Sequence, residues 1–117
     1  MDNRELAKEY IHKLYNLLSK REDNTSELLD ITDVLLQVYK KLDSVENPEA
    51  LVNRLVNYIR SMALKGRIHF PSTEEHLMIE LGVIGQKAGL NGLYKADYSD
   101  KSQFYSYSEL SQMPRRL

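Results

Sequence analysis

The sequence predicts an all-α protein: an antiparallel up-and-down four-helix bundle followed by an irregular, partly flexible C-terminal tail. Apolar residues recur at intervals of three and four as far as Ala88, with helix-capping residues at the breaks. The links between the apolar segments are short, which favours antiparallel neighbours. Beyond the glycine-rich stretch Gly89-Leu90-Asn91-Gly92 the pattern changes, and aromatic residues interleave with charges.

Four helices are expected, at about 2–20, 25–43, 48–65 and 73–88. In the first, Asp2 and Glu5 have capping-box spacing, and Leu6, Tyr10, Ile11, Leu14, Leu17 and Leu18 form one apolar stripe. The charged link Arg21-Glu22-Asp23 follows. In the second, Asn24 with Glu27 offers a cap, and Leu28, Ile31, Leu35, Val38 and Leu42 form a bundle seam that Leu29, Leu36 and Tyr39 widen. The third starts at Asn47-Pro48-Glu49, a cap, a proline at the first helical position and an acid at the positive end of the dipole. Leu51, Val52, Leu55, Val56, Ile59 and Met62 give its buried face, and Gly66 is placed to end it in the left-handed conformation. Ile68 and Phe70 in the connector are expected to plug the end of the core. The fourth helix opens on Ser72-Thr73-Glu74-Glu75, a capping box, and buries Leu77, Leu81, Ile84 and Ala88. Gly82 and Gly85 inside it each cost about 1 kcal/mol relative to Ala, which close approach of a neighbouring backbone would offset. Residues 1–89 are therefore the bundle, and 90–117 a tail belonging to the same single domain.

Composition narrows the function. The 117 residues suit one core, and a net charge of −1 gives no global field towards nucleic acid. The chain has no cysteine, so disulfides and thiolate zinc sites are excluded. The polar N-terminus lacks the features of a signal peptide, and no apolar run approaches the roughly 20 residues that cross a bilayer. A cytoplasmic protein is expected. No phosphate loop, nucleophile elbow or paired metal motif is present, so the chain reads as a non-enzyme without cofactor or small-molecule substrate. His12 belongs to a polar helix face, His69 is expected to be half-buried in a linker, and His76 with Glu80 makes a common one-turn pair that needs further ligands to hold a metal.

Two features remain. From Ala50 to Thr73 there is no acidic residue, while Arg54, Arg60, Lys65 and Arg67 are all present. They either form a basic end facing anionic lipid or an acidic partner, or they complement a helix C-terminus and pair with carboxylates on helices two and four. The tail holds half of the ten Tyr and Phe residues of the chain: Tyr94, Tyr98, Phe104, Tyr105 and Tyr107. It either folds back over the groove beside helices three and four or presents Tyr94, Tyr98 and Phe104 to a partner, because aromatics are favoured interface anchors. Leu90, Leu93 and Tyr94 are expected to dock and the later residues to be mobile.

The stretches Leu51-Val52-Asn53-Arg54-Leu55-Val56-Asn57-Tyr58 and Ile84-Gly85 through Ala88-Gly89-Leu90-Asn91-Gly92-Leu93-Tyr94-Lys95-Ala96-Asp97-Tyr98, continuing to Phe104, resemble the enterocin A immunity family. That family protects producers of pediocin-like (class IIa) bacteriocins. The resemblance implies a cytosolic four-helix bundle, with a fraction at the inner face of the membrane. It implies as partner the mannose phosphotransferase permease, the membrane receptor of the bacteriocin, once toxin is bound. It also implies that the later helices and tail set which toxins are resisted. Carried over by position, the specificity surface falls on helix four and on Tyr94, Lys95, Asp97, Tyr98, Asp100, Lys101 and Phe104. Arg54, Arg60, Lys65 and Arg67 are added as a membrane- or receptor-facing basic patch. The residues after Phe104 receive no role. The reading from a different class is a small helical adaptor that binds a soluble protein.

Overall fold

The computed structural model describes residues 1–89 and 98–116. Four helices form in the expected order: α1 (Asn3–Ser19), α2 (Ser26–Lys41), α3 (Pro48–Gly66) and α4 (Ser72–Gln86). Two short 3-10 segments follow, Lys101–Phe104 and Tyr107–Gln112. Each helix packs on its chain neighbours, α1 also packs on α4, and α1 and α3 touch across the diagonal.

The direction of each helix can be read from its cross-links. Lys8 of α1 pairs with Asp43 beyond the end of α2, and Gly66 at the end of α3 abuts Glu27 at the start of α2. Arg60 of α3 pairs with Glu75 of α4, while Asn53, two turns earlier, meets Gly85. Every neighbouring pair is antiparallel. At the end of the bundle where α1 finishes, the partly buried Arg21 binds Glu74 of α4 and donates to the His69 carbonyl at 2.6 Å. Its guanidinium also lies 5.9 Å from the centre of the Phe70 ring. A residue of the supposed charged link is therefore a structural tie, and Phe70 closes the core as expected.

Asp2 accepts from the Glu5 amide at 2.8 Å and Asn47 from the Ala50 amide at 3.0 Å, as their sequence signals require. Two other caps differ from expectation. Thr25, not Asn24, accepts from the Leu28 amide at 3.2 Å. At α4 the cap position is Pro71, whose carbonyl accepts from the Glu75 amide at 2.8 Å. The capping box at Ser72 does not form because the Glu75 carboxylate is engaged elsewhere, in two 2.7 Å bonds from Arg60.

The core contains the predicted seam of α2, together with Ile11, Leu14 and Leu18 of α1, Leu51, Val52, Leu55, Ile59 and Met62 of α3, and Leu77, Leu81 and Ile84 of α4. Val34, Tyr58 and Met78 join it without having been expected, and Leu36 lies largely outside. The glycines divide by mechanism. A Cβ on Gly85 would lie 2.9 Å from the Asn53 Cα, so α3 and α4 touch there backbone to backbone, as expected. Gly82 has open space instead. Gly66 is the last helical residue, where a Cβ would lie 2.7 Å from the Glu27 Cβ, and the left-handed residue is Arg67, with φ 52°. Gly89, with φ 58°, ends the described part of this region.

These positions predict opposite responses to one added methyl group. Gly82→Ala is expected to stabilise the bundle by up to about 1 kcal/mol, through helix propensity alone. Gly85→Ala is expected to destabilise it by about 1–3 kcal/mol, because the added atom meets backbone. Urea unfolding of the two variants, with unchanged dependence on denaturant, checks the pair.

Candidate functional site

On α2, Asp30 and Asp33 lie one helical turn apart and project from the same side. Two like charges so placed need counter-charge, and the tail supplies it. The Lys101 ammonium donates to Asp30 at 2.8 Å, to Asp33 at 3.0 Å and to the Pro114 carbonyl at 2.7 Å. These bonds use all three of its N–H groups. Arg116 adds a 2.6 Å bond to Asp33, and its Nε lies 3.7 Å from Asp30. The four side chains are 12–24% exposed, wet enough to be screened by salt but dry enough to hold position.

One turn beyond Lys101, Phe104 enters the core. It is 2% exposed, and its ring meets Tyr58 of α3 edge-on, with centroids 5.3 Å apart at 76°. Tyr105 packs partly buried beside it. The first 3-10 segment is capped by Asp100, which accepts from the Ser102 amide at 3.0 Å and the Ser102 hydroxyl at 2.6 Å. The second is closed by a capping box between Ser106 and Glu109, and Glu109 also binds Lys41 of α2 at 2.7 Å. A polar groove of about 250 Å³ runs between α2 and the tail, lined by Asp33, Gln37, Lys40, Tyr105, Glu109 and Gln112.

The electrostatics follow from these contacts. Lys41, helped by the Ser106 amide, holds the Glu109 carboxyl well below the usual range, at about 2. Burial, followed by the nearby Asp30 charge, pushes the Tyr58 hydroxyl far above its ordinary value. Burial also raises Tyr105, with Asp33 and Asp30 adding to it. Among the described residues the buried Tyr58 hydroxyl and Gln103 Oε1 find no hydrogen-bond partner, and Arg116 Nε has only its 3.7 Å ion pair with Asp30.

Several sequence expectations change here. Tyr94, Lys95 and Asp97 lie outside the described residues, as do Leu90 and Leu93. Of the rest, Tyr98 is 38% exposed and Asp100 is exposed, while Lys101 and Phe104 point inward. Residues 98–116 lie folded against α2, not in the groove beside α3 and α4, and reach α3 through Phe104. The residues after Phe104, given no role, furnish Glu109, Pro114 and Arg116. Asp30, Asp33, Lys41 and Tyr58 were not expected at all. The signal available was the one-turn acidic pair of α2 set against Lys101, Arg115 and Arg116 of the tail.

The basic stretch is not one surface of free charge. Arg60 is neutralised by Glu75, and Arg54 is partly buried. Lys65 and Arg67 are exposed at the C-terminal end of α3, where cations favour the dipole. Leu64 beside them is 84% exposed, above a shallow groove that Arg60, Arg67, His69 and Phe70 also line. His69 is exposed, not half-buried. Among the described residues no three acidic or histidine side chains converge to hold a metal, and no helix is long and apolar enough to cross a membrane. This arrangement can bind and exchange surfaces.

The sequence profile of the bacteriocin immunity protein family matches residues 3–86, the four helices without the tail. The chain is 64% identical over 103 residues to a probable leucocin-A immunity protein of Leuconostoc gelidum, covering 88% of this chain and 90% of that protein. It is 60% identical over 100 residues to a probable mesentericin-Y105 immunity protein of Leuconostoc mesenteroides, covering 86% and 88%. It also matches the crystal structure of EntA-im, a bacterial immunity protein conferring immunity to the pediocin-like bacteriocin enterocin A. That match has a TM-score of 0.61 and 46% identity over 83% of this chain and 98% of that one.

Two measurements check the seat of the tail. Glu109 carries a carboxyl depressed in the folded protein, so its contribution is complete above about 4.5 and is lost as pH falls towards about 2. Carboxyl NMR should place its midpoint near 2 and move it up towards 4.5 in Lys41→Met. Tyr58→Phe removes an unpaired buried hydroxyl and keeps the ring. It is expected to raise stability by about 1 kcal/mol, whereas Phe104→Ala is expected to cost about 3–5 kcal/mol, both read by thermal unfolding.

Proposed function

The chain belongs to the bacteriocin immunity protein family, a family of immunity proteins and not of enzymes, and we propose that it protects the cell that makes it from a pediocin-like bacteriocin. The observation that carries this is the likeness to EntA-im, which spans nearly the whole of that protein at 46% identity. Protection works from the cytosolic side on the mannose phosphotransferase permease once toxin has bound it. The protein stops the leak and does not sequester free toxin.

The chemistry of the surface supports recognition. The bundle gives a rigid body, and the tail presents aromatic anchors along one side of it. Tyr98 is 38% and Tyr107 94% exposed, and Asp100 is exposed between them in sequence. Tyr94, Lys95 and Asp97, which lie outside the described residues, complete the set assigned to receptor contact. Lys101 and Phe104 contribute by holding the tail to the body. The exposed Leu64 with Lys65 and Arg67, followed by Arg60 and Arg54 further back along α3, gives a second contact, an apolar tip among cations suited to the inner face of the membrane beside the permease.

Expression of the chain in a sensitive strain is expected to confer resistance to a subset of a panel of pediocin-like bacteriocins. Termination before Tyr94 should abolish resistance while leaving helicity intact by circular dichroism. Pull-down from membranes should recover the permease only when toxin is present. A complex with a soluble protein, formed equally with and without toxin, would instead establish the adaptor reading.

A further inference from the structure

The seat of the tail on α2 is built like a ligand site. It has a charged half, Asp30 and Asp33, and an aromatic half, the Tyr58 ring. The chain fills both with a cation and an aromatic residue three positions apart, Lys101 and Phe104. We infer that this face of α2 and α3 is a binding site for a polypeptide segment carrying a cation and an aromatic side chain about one turn apart. The tail occupies it in cis, and a segment of the partner displaces the tail. The inference rests on the proposed function for the identity of the partner, and on the geometry alone for the site.

Three observations support exchange over permanent burial. Among the described residues, Phe104 is the one member of the buried core cluster contributed by the tail, and every other member belongs to residues 7–84. Apart from the half-buried Tyr105, the described contacts that hold the tail to α2 are ion pairs at partly exposed side chains, which water and salt can replace. The Tyr58 hydroxyl, buried beside Asp30 and Asp33, has no hydrogen-bond partner among the described residues. A buried polar atom left unpaired costs free energy that hydration or a better-matched ligand recovers. The docked tail is thus an imperfect ligand, held by being tethered. A tethered ligand competes at an effective concentration that can reach millimolar, so a free segment binds detectably only when the tail is weakened.

The test uses the full chain and a fluorescent peptide of residues 98–116 as probe. Lys101→Glu combined with Phe104→Ala empties the site. This variant is expected to bind the peptide at least about ten-fold more tightly than the unaltered chain does. Binding should weaken as salt is raised and disappear when Asp30→Asn and Asp33→Asn are added. Lys101→Glu alone, which leaves Phe104 in the core, should give the same order with a smaller difference. The proposal is overturned if the emptied variant does not bind, if the unaltered chain binds equally well, or if binding survives loss of both carboxylates. Loss of helicity in both variants would also overturn it, because the tail would then be part of the core. None of these readouts involves toxin or permease, so a failure here leaves the immunity reading standing, and a failure of immunity leaves the site standing.

Discussion

Burial of Phe104 edge-on against Tyr58 fixes where the rest of the tail has to lie. Once that ring is seated, the residue three positions earlier must come down over α2, and that residue is Lys101. The acidic pair of α2 is waiting beneath it, spaced by one helical turn so that a single ammonium reaches both carboxylates. The third N–H of Lys101 then holds Pro114, which brings Arg116 over the same two acids. One aromatic contact and one helical spacing therefore organise residues well separated in sequence. The two 3-10 segments are the local turns that let the backbone follow this path.

Among the described residues, all of the buried core except Phe104 belongs to the body beneath the tail. The core closes through α1 to α4 and the Phe70 plug, and the family profile ends at residue 86, before the tail begins. Inside the body, Gly85 lets α4 settle on the Asn53 backbone, and at one end Arg21 joins α1 to α4. The Arg21–Glu74 pair is partly buried and charge-assisted, and with the close contact of α3 and α4 it makes the bundle a stiff support. A stiff support with a separately attached surface can change what it recognises without changing how it folds.

The bundle was legible because its signal is periodic. Leu28, Ile31, Leu35, Val38 and Leu42 need no tertiary information to declare a buried face, and all five are buried. The caps at Asp2 and Asn47 were equally local. What could not be read was any choice settled by a partner distant in sequence. Glu75 had the spacing of a capping box but was taken by Arg60, and Gly66 looked like a left-handed terminator but is the last helical residue, close against Glu27. The tail failed in the same way. Its aromatics were identified, yet which of them face inward depends on Asp30, Asp33 and Tyr58, whose own helical patterns give no hint of a visitor. Periodicity finds the faces an element buries against its neighbours, and it is silent about a polar face reserved for a segment without periodicity.

That silence follows from the chemistry of recognition. A catalytic site concentrates rare side chains in a cleft, and a sequence can advertise them. A protein that acts by occupancy needs only ordinary residues, each placed so that contacts can be exchanged. The seat on α2 has the properties such exchange requires. Its ion pairs are strong enough to hold the tail in register and exposed enough to be replaced. Its apolar part among the described residues, Phe104 with the half-buried Tyr105, is small beside the bundle core. Its unpaired hydroxyl at Tyr58 keeps the docked arrangement from being the best one available to those groups. A fully satisfied interface would bind the tail permanently and leave nothing for a partner to gain. The imperfections of the seat are therefore what make the tail usable, because the free energy they withhold from the docked state is what a better-matched segment can recover.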